Sequence, residues 1–156
     1  MHAAYDRLWT GQRIPPLRPD APRILLVDDD LPTQVIVSRL LTRLGLSVDT
    51  AADGMECLAL LGREPFQAVL MDLRLPDLDG LELTRRIRSG RVAGVCHTIP
   101  VIALTACAMP MDRKNCRDAG MDGYVSKPFE VEDLVRALED VLGPLSTAPD
   151  FDFRVV

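Results

Sequence analysis

The stretch Ala68-Val69-Leu70-Met71-Asp72, followed at once by Leu75-Pro76-Asp77-Leu78-Asp79-Gly80, sets the fold of this chain. A short apolar run with no polar face reads as a strand covered on both sides, and the Pro-Asp-Gly cluster after it reads as a turn. Leu83 and Ile87 then anchor a helix. Open α/β sheets bind ligands at the carboxyl ends of their strands. Asp72, at such an end, is therefore a candidate functional residue.

The same unit repeats on either side. Ile24 to Val27 is an apolar run ending on Asp28-Asp29-Asp30, after which Val37, Leu40, Leu41 and Leu44 recur at helical spacing until Gly45. Leu46 to Thr50 alternates as a short strand, and Asp53-Gly54 opens a helix through Leu58 and Leu61 toward Gly62. Beyond the central unit, Pro100 introduces a strand over Val101 to Leu104 that ends on Thr105, and a helix is expected from Met111 to Ala119 with Gly120 as its stop. Gly123 to Val125 forms a fifth strand before Ser126-Lys127-Pro128. Val131, Leu134, Val135, Leu138 and Leu142 then line one face of a last helix ended by Gly143-Pro144. Five strand-helix units of this kind predict an α/β fold: a parallel five-stranded sheet in the order 2-1-3-4-5 with helices on both faces.

Residues 1–22, with Pro15, Pro16, Pro19 and Pro22, read as a leader or linker, 23–143 as the folded domain and 144–156 as a tail. With 156 residues, one domain is expected. A net charge of −5 argues against a general nucleic-acid binder, since phosphate contacts need clustered Lys and Arg. Arg85, Arg86, Arg88 and Arg91 read as a solvated helix end. No apolar run approaches a membrane span and the first residues lack a secretory pattern, so no membrane insertion and a cytoplasmic location are expected. Cys57, Cys96, Cys107 and Cys116 show no CxxC spacing and read as reduced thiols filling apolar space, and His97 reads as a loop histidine.

In the expected sheet one edge gathers Asp28 and Asp29, Asp72, Thr105 and Lys127. Singly, each has an ordinary role as a cap, turn or surface residue. Together they leave a formal charge of about −2, a repulsion that a divalent cation relieves. Hard oxygen donors favour Mg²⁺, which shares its shell with phosphate oxygens. Such a site suits Asp72 as a carboxylate nucleophile on phosphorus, with Mg²⁺ and Lys127 neutralising charge and the Thr105 hydroxyl donating to a phosphate oxygen.

At these residues the chain resembles the receiver domains of two-component response regulators, of CheY-like fold, over about residues 23–143. The matching motifs are Ile24-Leu25-Leu26-Val27-Asp28-Asp29-Asp30, Met71-Asp72 through Asp79-Gly80, Ile102-Ala103-Leu104-Thr105-Ala106 and Gly123-Tyr124-Val125-Ser126-Lys127-Pro128-Phe129. The resemblance implies that Asp72 is the phosphoacceptor, that Asp28, Asp29, Asp72 and the Arg74 backbone carbonyl hold Mg²⁺ (Mn²⁺ in its place), and that Lys127 contacts the phosphoryl group. It further implies a switch pair of Thr105 and Tyr124, a Lys127-Pro128 bond often cis, and a readout face made by the fourth helix, fifth strand and fifth helix. The implied partners are a histidine kinase or histidine phosphotransfer protein upstream and an unknown protein downstream, with no direct DNA binding, the chain acting as a monomer or phosphorylation-dependent dimer. The resemblance also implies self-catalysed phosphorylation and dephosphorylation, and no separate substrate turnover is expected.

The run from Thr105 to Asp122 looks most like receivers attached to hybrid sensor kinases, so a fragment of such a kinase is the alternative context. The connection from Ser89 to Thr98 is longer than in many receivers and is expected to be a mobile loop. Arg74, two residues past the acceptor, and Cys107 are expected to tune access of water to the acyl phosphate. An aspartate-nucleophile phosphatase of haloacid-dehalogenase type would carry DxDx[TV] on one strand end, a spacing that Asp28-Asp29-Asp30-Leu31-Pro32-Thr33 misses. A flavodoxin-like flavin binder needs a Ser/Thr/Gly phosphate loop after the first strand, which this chain lacks.

Overall fold

The computed structural model describes residues 19–106 and 109–145. Most of the expected leader and tail, together with Cys107, lie outside the described residues.

Each apolar run forms a strand: β1 Arg23–Val27, β2 Ser47–Ala51, β3 Ala68–Met71, β4 Val101–Thr105 and β5 Gly123–Ser126. Between and after them run α1 Leu31–Arg43, α2 Gly54–Leu61, α3 Gly80–Arg88, α4 Pro110–Asp118 and α5 Val131–Leu142. All strand pairs are parallel, in the order β2-β1-β3-β4-β5 expected from the sequence.

Alternation along each central strand builds two separate cores. Ile24, Leu26, Ala68, Leu70, Ile102 and Leu104 point to one face, where Val37, Leu40 and Leu41 of α1 and Leu134 and Leu138 of α5 cover them. Leu25, Val27, Val69, Met71, Val101 and Ala103 point to the other, under Cys57 and Leu61 of α2, Leu83 and Ile87 of α3, and Cys116 of α4. Both faces of β1, β3 and β4 are dry, which explains why these strands are apolar except for Arg23 at the start of β1 and Thr105 at the end of β4. Each fully buried Leu, Ile or Val contributes roughly 1.5–3 kcal/mol. The edge strand β2 has only Ala51 fully buried, so its sequence alternation reports a half-covered edge rather than a sharp inner and outer face.

Local chemistry explains where helices begin. Asp30 caps α1, its Oδ2 accepting from the Thr33 N–H at 2.9 Å and the Thr33 hydroxyl at 2.6 Å, with Pro32 in the first turn. Asp79 caps α3 by accepting from Leu81 at 2.6 Å. α4 begins one residue before the expected Met111, at Pro110, whose missing N–H is no loss in a first turn.

Two readings of the sequence need correction. Arg88 is no solvated helix end: its guanidinium donates to the carbonyls of Gly120 (2.9 Å), His97 (2.8 Å) and Ile99 (2.8 Å) and pairs with Asp122 at 2.8 Å. It thereby ties the far end of the long connection after α3 back to that helix. Cys96 is exposed on that connection, beside Thr98, rather than filling apolar space as Cys57 and Cys116 do.

Candidate functional site

The register brings the acidic residues together. Val27 pairs with Met71, so Asp28 and Asp72 leave adjacent strands side by side, with the Asp72 N–H donating to the Val27 carbonyl at 2.9 Å. The chain turns from β1 out to β2 and then back past β1 to β3, so this pair sits at the point where strand order reverses. Continued alternation aims both residues to the α1/α5 side.

Asp28, Asp29 and Asp72 each place a carboxylate oxygen within 4.8 Å of the others. They differ in burial: Asp28 is fully buried, Asp29 exposed and Asp72 between them. Asp28 is held at every polar atom. Its N–H donates to the Ala51 carbonyl, its carbonyl accepts from Gln34 Nε2, Oδ1 accepts from the Asp30 N–H at 2.9 Å, and Oδ2 accepts from Lys127 Nζ at 2.7 Å. Asp72 Oδ1 accepts from the Arg74 N–H at 3.0 Å and Oδ2 from Lys127 Nζ at 3.3 Å. Of the three consecutive aspartates, Asp30 alone serves as the helix cap, leaving Asp28 and Asp29 for the cluster.

Lys127 follows β5 and reaches back to both acids, with its N–H on the Thr105 carbonyl at 2.7 Å and a cis peptide to Pro128. Burial is the largest influence on its ammonium and opposes the charge, but the hydrogen bond to Asp28 and the charges of Asp72 and Asp28 outweigh it, so its pKa lies above the usual lysine value. Thr105, 1% exposed, closes β4 one step past the level of Asp72. Tyr124 stands on the adjacent strand, half-buried against the α2/α3/α4 core, with the Arg113 guanidinium 5.2 Å from its ring centre. Arg74 is exposed beyond the cluster.

The donor set suits a hard divalent cation: carboxylate oxygens dominate, and the one ammonium present is shared between two acids. Two features of the site were not singled out from the sequence. Gln34 is a polar residue on the buried face of α1, and its amide holds the Asp28 carbonyl; a polar residue three positions before Val37, in the apolar stripe, was the available signal. Gly80 lets the start of α3 lie against Asp72, since a Cβ there would stand 2.4 Å from the Asp72 carbonyl oxygen. No pattern in one sequence separates that glycine from an ordinary turn glycine.

A family profile described as response regulator receiver domain matches residues 24–139. The chain belongs to the receiver domain family of response regulators. This receiver is 32% identical over 138 residues to hybrid signal transduction histidine kinase K of Dictyostelium discoideum, covering 86% of this chain and 11% of that protein. It is 34% identical over 124 residues to the sensor protein GacS of Pseudomonas syringae, covering 80% of this chain and 14% of that protein. With the response regulator MprA of a Mycobacterium species it shares 38% over 128 residues, 82% of this chain and 53% of that protein. The chain therefore spans between a ninth and about half of these curated relatives.

Among solved structures, the receiver domain of a sensor histidine kinase from Pseudomonas aeruginosa, crystallised with a magnesium ion in its active-site cleft, is 40% identical at a TM-score of 0.71. It covers 80% of this receiver and 99% of that chain. A putative response regulator from Chloroflexus aurantiacus superposes at a TM-score of 0.74 with 30% identity, covering 80% and 100%. The protein is thus a receiver domain of two-component signalling, a module found in both hybrid kinases and response regulators, and the phosphatase alternative gives way to it. Among the described residues no helix is long and apolar enough to cross a membrane.

Proposed function

We propose that Asp72 accepts a phosphoryl group from a phosphohistidine donor, a histidine kinase or histidine phosphotransfer protein, in a Mg²⁺-dependent reaction. The observation that carries this reading is the sharing of one ammonium, Lys127 Nζ, between Asp28 at 2.7 Å and Asp72 at 3.3 Å, within a cluster of three carboxylates. Asp28, Asp29, Asp72 and the Arg74 backbone carbonyl would hold the ion. When bound, Mg²⁺, or Mn²⁺ in its place, supplies positive charge to the oxygens of the transferring group.

The chain's own residues do the rest. Asp72 attacks phosphorus through a carboxylate oxygen as the bond from phosphorus to the imidazole nitrogen breaks, giving an acyl phosphate on Asp72 and a free imidazole. Lys127, already beside Asp72, follows the charge onto the phosphoryl oxygens. The Thr105 hydroxyl turns toward a phosphoryl oxygen, and Tyr124 moves inward behind it. This biases an equilibrium between two arrangements rather than creating a new one.

The readout face is α4-β5-α5. A cavity of about 300 Å³ on that face, lined by Arg113, Tyr124 and Arg136 together with Asp122, Asp133 and Asp140, adjoins the Tyr124 ring and does not include Asp28, Asp29 or Asp72. A movement of Tyr124 would reshape it directly, which suits binding of a downstream protein, with or without dimerisation on phosphorylation. The functional unit spans 23–143 and works in the cytoplasm, where its donors present phosphohistidine. A hybrid-kinase context is a second reading, favoured by the sensor-kinase relatives, in which this receiver would be a small part of a longer chain.

Acetyl phosphate with Mg²⁺ should add one phosphoryl group to the wild-type chain by intact-mass spectrometry, and none to Asp72→Asn. Labelling that persists in Asp72→Asn would move the acceptor elsewhere. Phosphotransfer profiling against the host's kinases and phosphotransfer proteins would identify the donor.

A further inference from the structure

The loop between Asp72 and α3 is fastened to a helix it does not precede. Asp77 Oδ1 accepts from the Gly54 N–H at 2.8 Å and Oδ2 from the Met55 N–H at 3.0 Å. The next donor of α2, Glu56 N–H, goes to Asp53 Oδ1 at 2.7 Å. The local cap of α2 thus serves one first-turn donor while Asp77, from a distant loop, serves two that would otherwise lack an intrahelical partner. These bonds hold the Asp77 carboxyl below its ordinary pKa, the Gly54 bond foremost, so the clamp is charged at neutral pH. The same joint is tight, since an added Cβ on Gly54 would lie 3.2 Å from Leu78 Cβ.

The other end of this loop is tied to the site. The Arg74 N–H donates to Asp72 Oδ1 at 3.0 Å, and the Gly80 N–H to the Leu73 carbonyl at 2.9 Å. Only Leu75 and Pro76 separate Arg74 from Asp77, and the proline ring removes one of the rotations in that arm. A restraint on Asp77 is therefore passed to the Arg74 peptide with little slack.

We propose that Asp77 is a positioning residue for the metal site: its clamp on α2 holds the Arg74 peptide beside Asp72, where the Arg74 carbonyl ligates the ion. This rests on the reading of Asp28, Asp29, Asp72 and Arg74 as Mg²⁺ ligands. Asp77 itself touches neither the ion nor the transferring group.

The test compares Asp77→Ala, Asp77→Asn and Asp53→Ala. Asp53→Ala removes the same charge and also weakens the start of α2, but leaves the loop clamp intact. Mg²⁺ affinity is read without any phosphodonor, from amide shifts of Asp72 and Arg74 on titration. The Mg²⁺ concentration for half-maximal labelling by acetyl phosphate is a second readout. Loss of groups that orient metal ligands costs roughly 10–100-fold in affinity, so Asp77→Ala is expected to weaken Mg²⁺ binding about tenfold. Asp77→Asn, which keeps one acceptor, should fall between it and the wild type, and Asp53→Ala should stay within about twofold of the wild type. Unchanged affinity in Asp77→Ala, or equal weakening in Asp53→Ala, overturns the proposal while leaving the ligand reading intact. A wild-type chain that shows no saturable Mg²⁺ shift at Asp72 overturns both.

Discussion

Replacing Gly80 with alanine tests how closely the fold must approach its own acceptor. The added Cβ would lie 2.4 Å from the Asp72 carbonyl oxygen and 2.9 Å from Leu73 Cα, whereas ordinary contact begins at 3.4 Å. The start of α3 must therefore withdraw by about 1 Å, and both obstructing atoms are backbone and cannot rotate aside. Withdrawal also stretches the 2.9 Å hydrogen bond from Gly80 to Leu73. Overpacking costs typically 1–3 kcal/mol, against which alanine in a helix recovers up to about 1 kcal/mol over glycine. With rigid obstructions the steric cost takes the upper end of its range, leaving a net loss of about 2 kcal/mol.

For a domain of this size that lowers the melting temperature by about 6–10 °C. Any part of that 1 Å taken up by the Asp72 backbone instead of α3 slows phosphoryl transfer, by up to about 100-fold for the full 1 Å. Gly143→Ala is the control: its φ of +81° strains any side chain, but nothing lies within 4 Å of the new Cβ. It should cost roughly 1–3 kcal/mol while leaving labelling at the wild-type rate. Urea unfolding followed by circular dichroism, and initial rates of labelling by acetyl phosphate, measure the two effects. Wild-type stability and labelling in Gly80→Ala would refute the packing argument.

Lys127→Ala leaves the buried Asp28 and the half-buried Asp72 without their shared ammonium, so the metal-free protein should lose roughly 2–3 kcal/mol, a broken buried pair discounted for partial exposure, and recover stability on adding Mg²⁺. Melting curves that respond to Mg²⁺ no more than the wild type's would contradict the charge balance. Arg88→Ala removes the donor to three carbonyls and should cost about 2–3 kcal/mol, with faster hydrogen exchange around residues 97–99 and unaltered Mg²⁺ affinity; slow exchange there in the variant would show the loop is held by other contacts. The Thr98 hydrogen bond lowers the Cys96 thiol pKa, so its thiolate is present at a lower pH than a free cysteine's, whereas burial pushes Cys57 up to about 12. Iodoacetamide at pH 8 should label Cys96 well before Cys57 or Cys116 by peptide mapping, and early labelling of Cys57 would count against the packing of α2 on the sheet.

Much of the site was readable because its parts are strand ends. Asp28, Asp72 and Thr105 each terminate an apolar run, and parallel strands carry their carboxyl ends to one edge whatever the details of packing. What escaped is chemistry made by contact between segments far apart in the chain. Arg88 read as a surface residue and Cys96 as a core-filling one, because nothing local shows that one guanidinium meets three loop carbonyls or that one thiol faces outward. Asp77 read as an ordinary turn aspartate, since its partners on α2 lie more than twenty residues earlier.

The sequence by itself determined the strand-helix repeat, the parallel order of the sheet and the residues at its carboxyl edge, because periodicity and local turn chemistry act within a few residues. Only the tertiary structure decided how those residues divide the work. Asp30 turned to cap α1 while Asp28 and Asp29 joined Asp72, Lys127 bridged two acids, and Asp77 clamped a helix from across the sheet edge. A side chain's partner is set by which backbone lies within hydrogen-bond reach after packing, and that distance is not a property of any local stretch of chain.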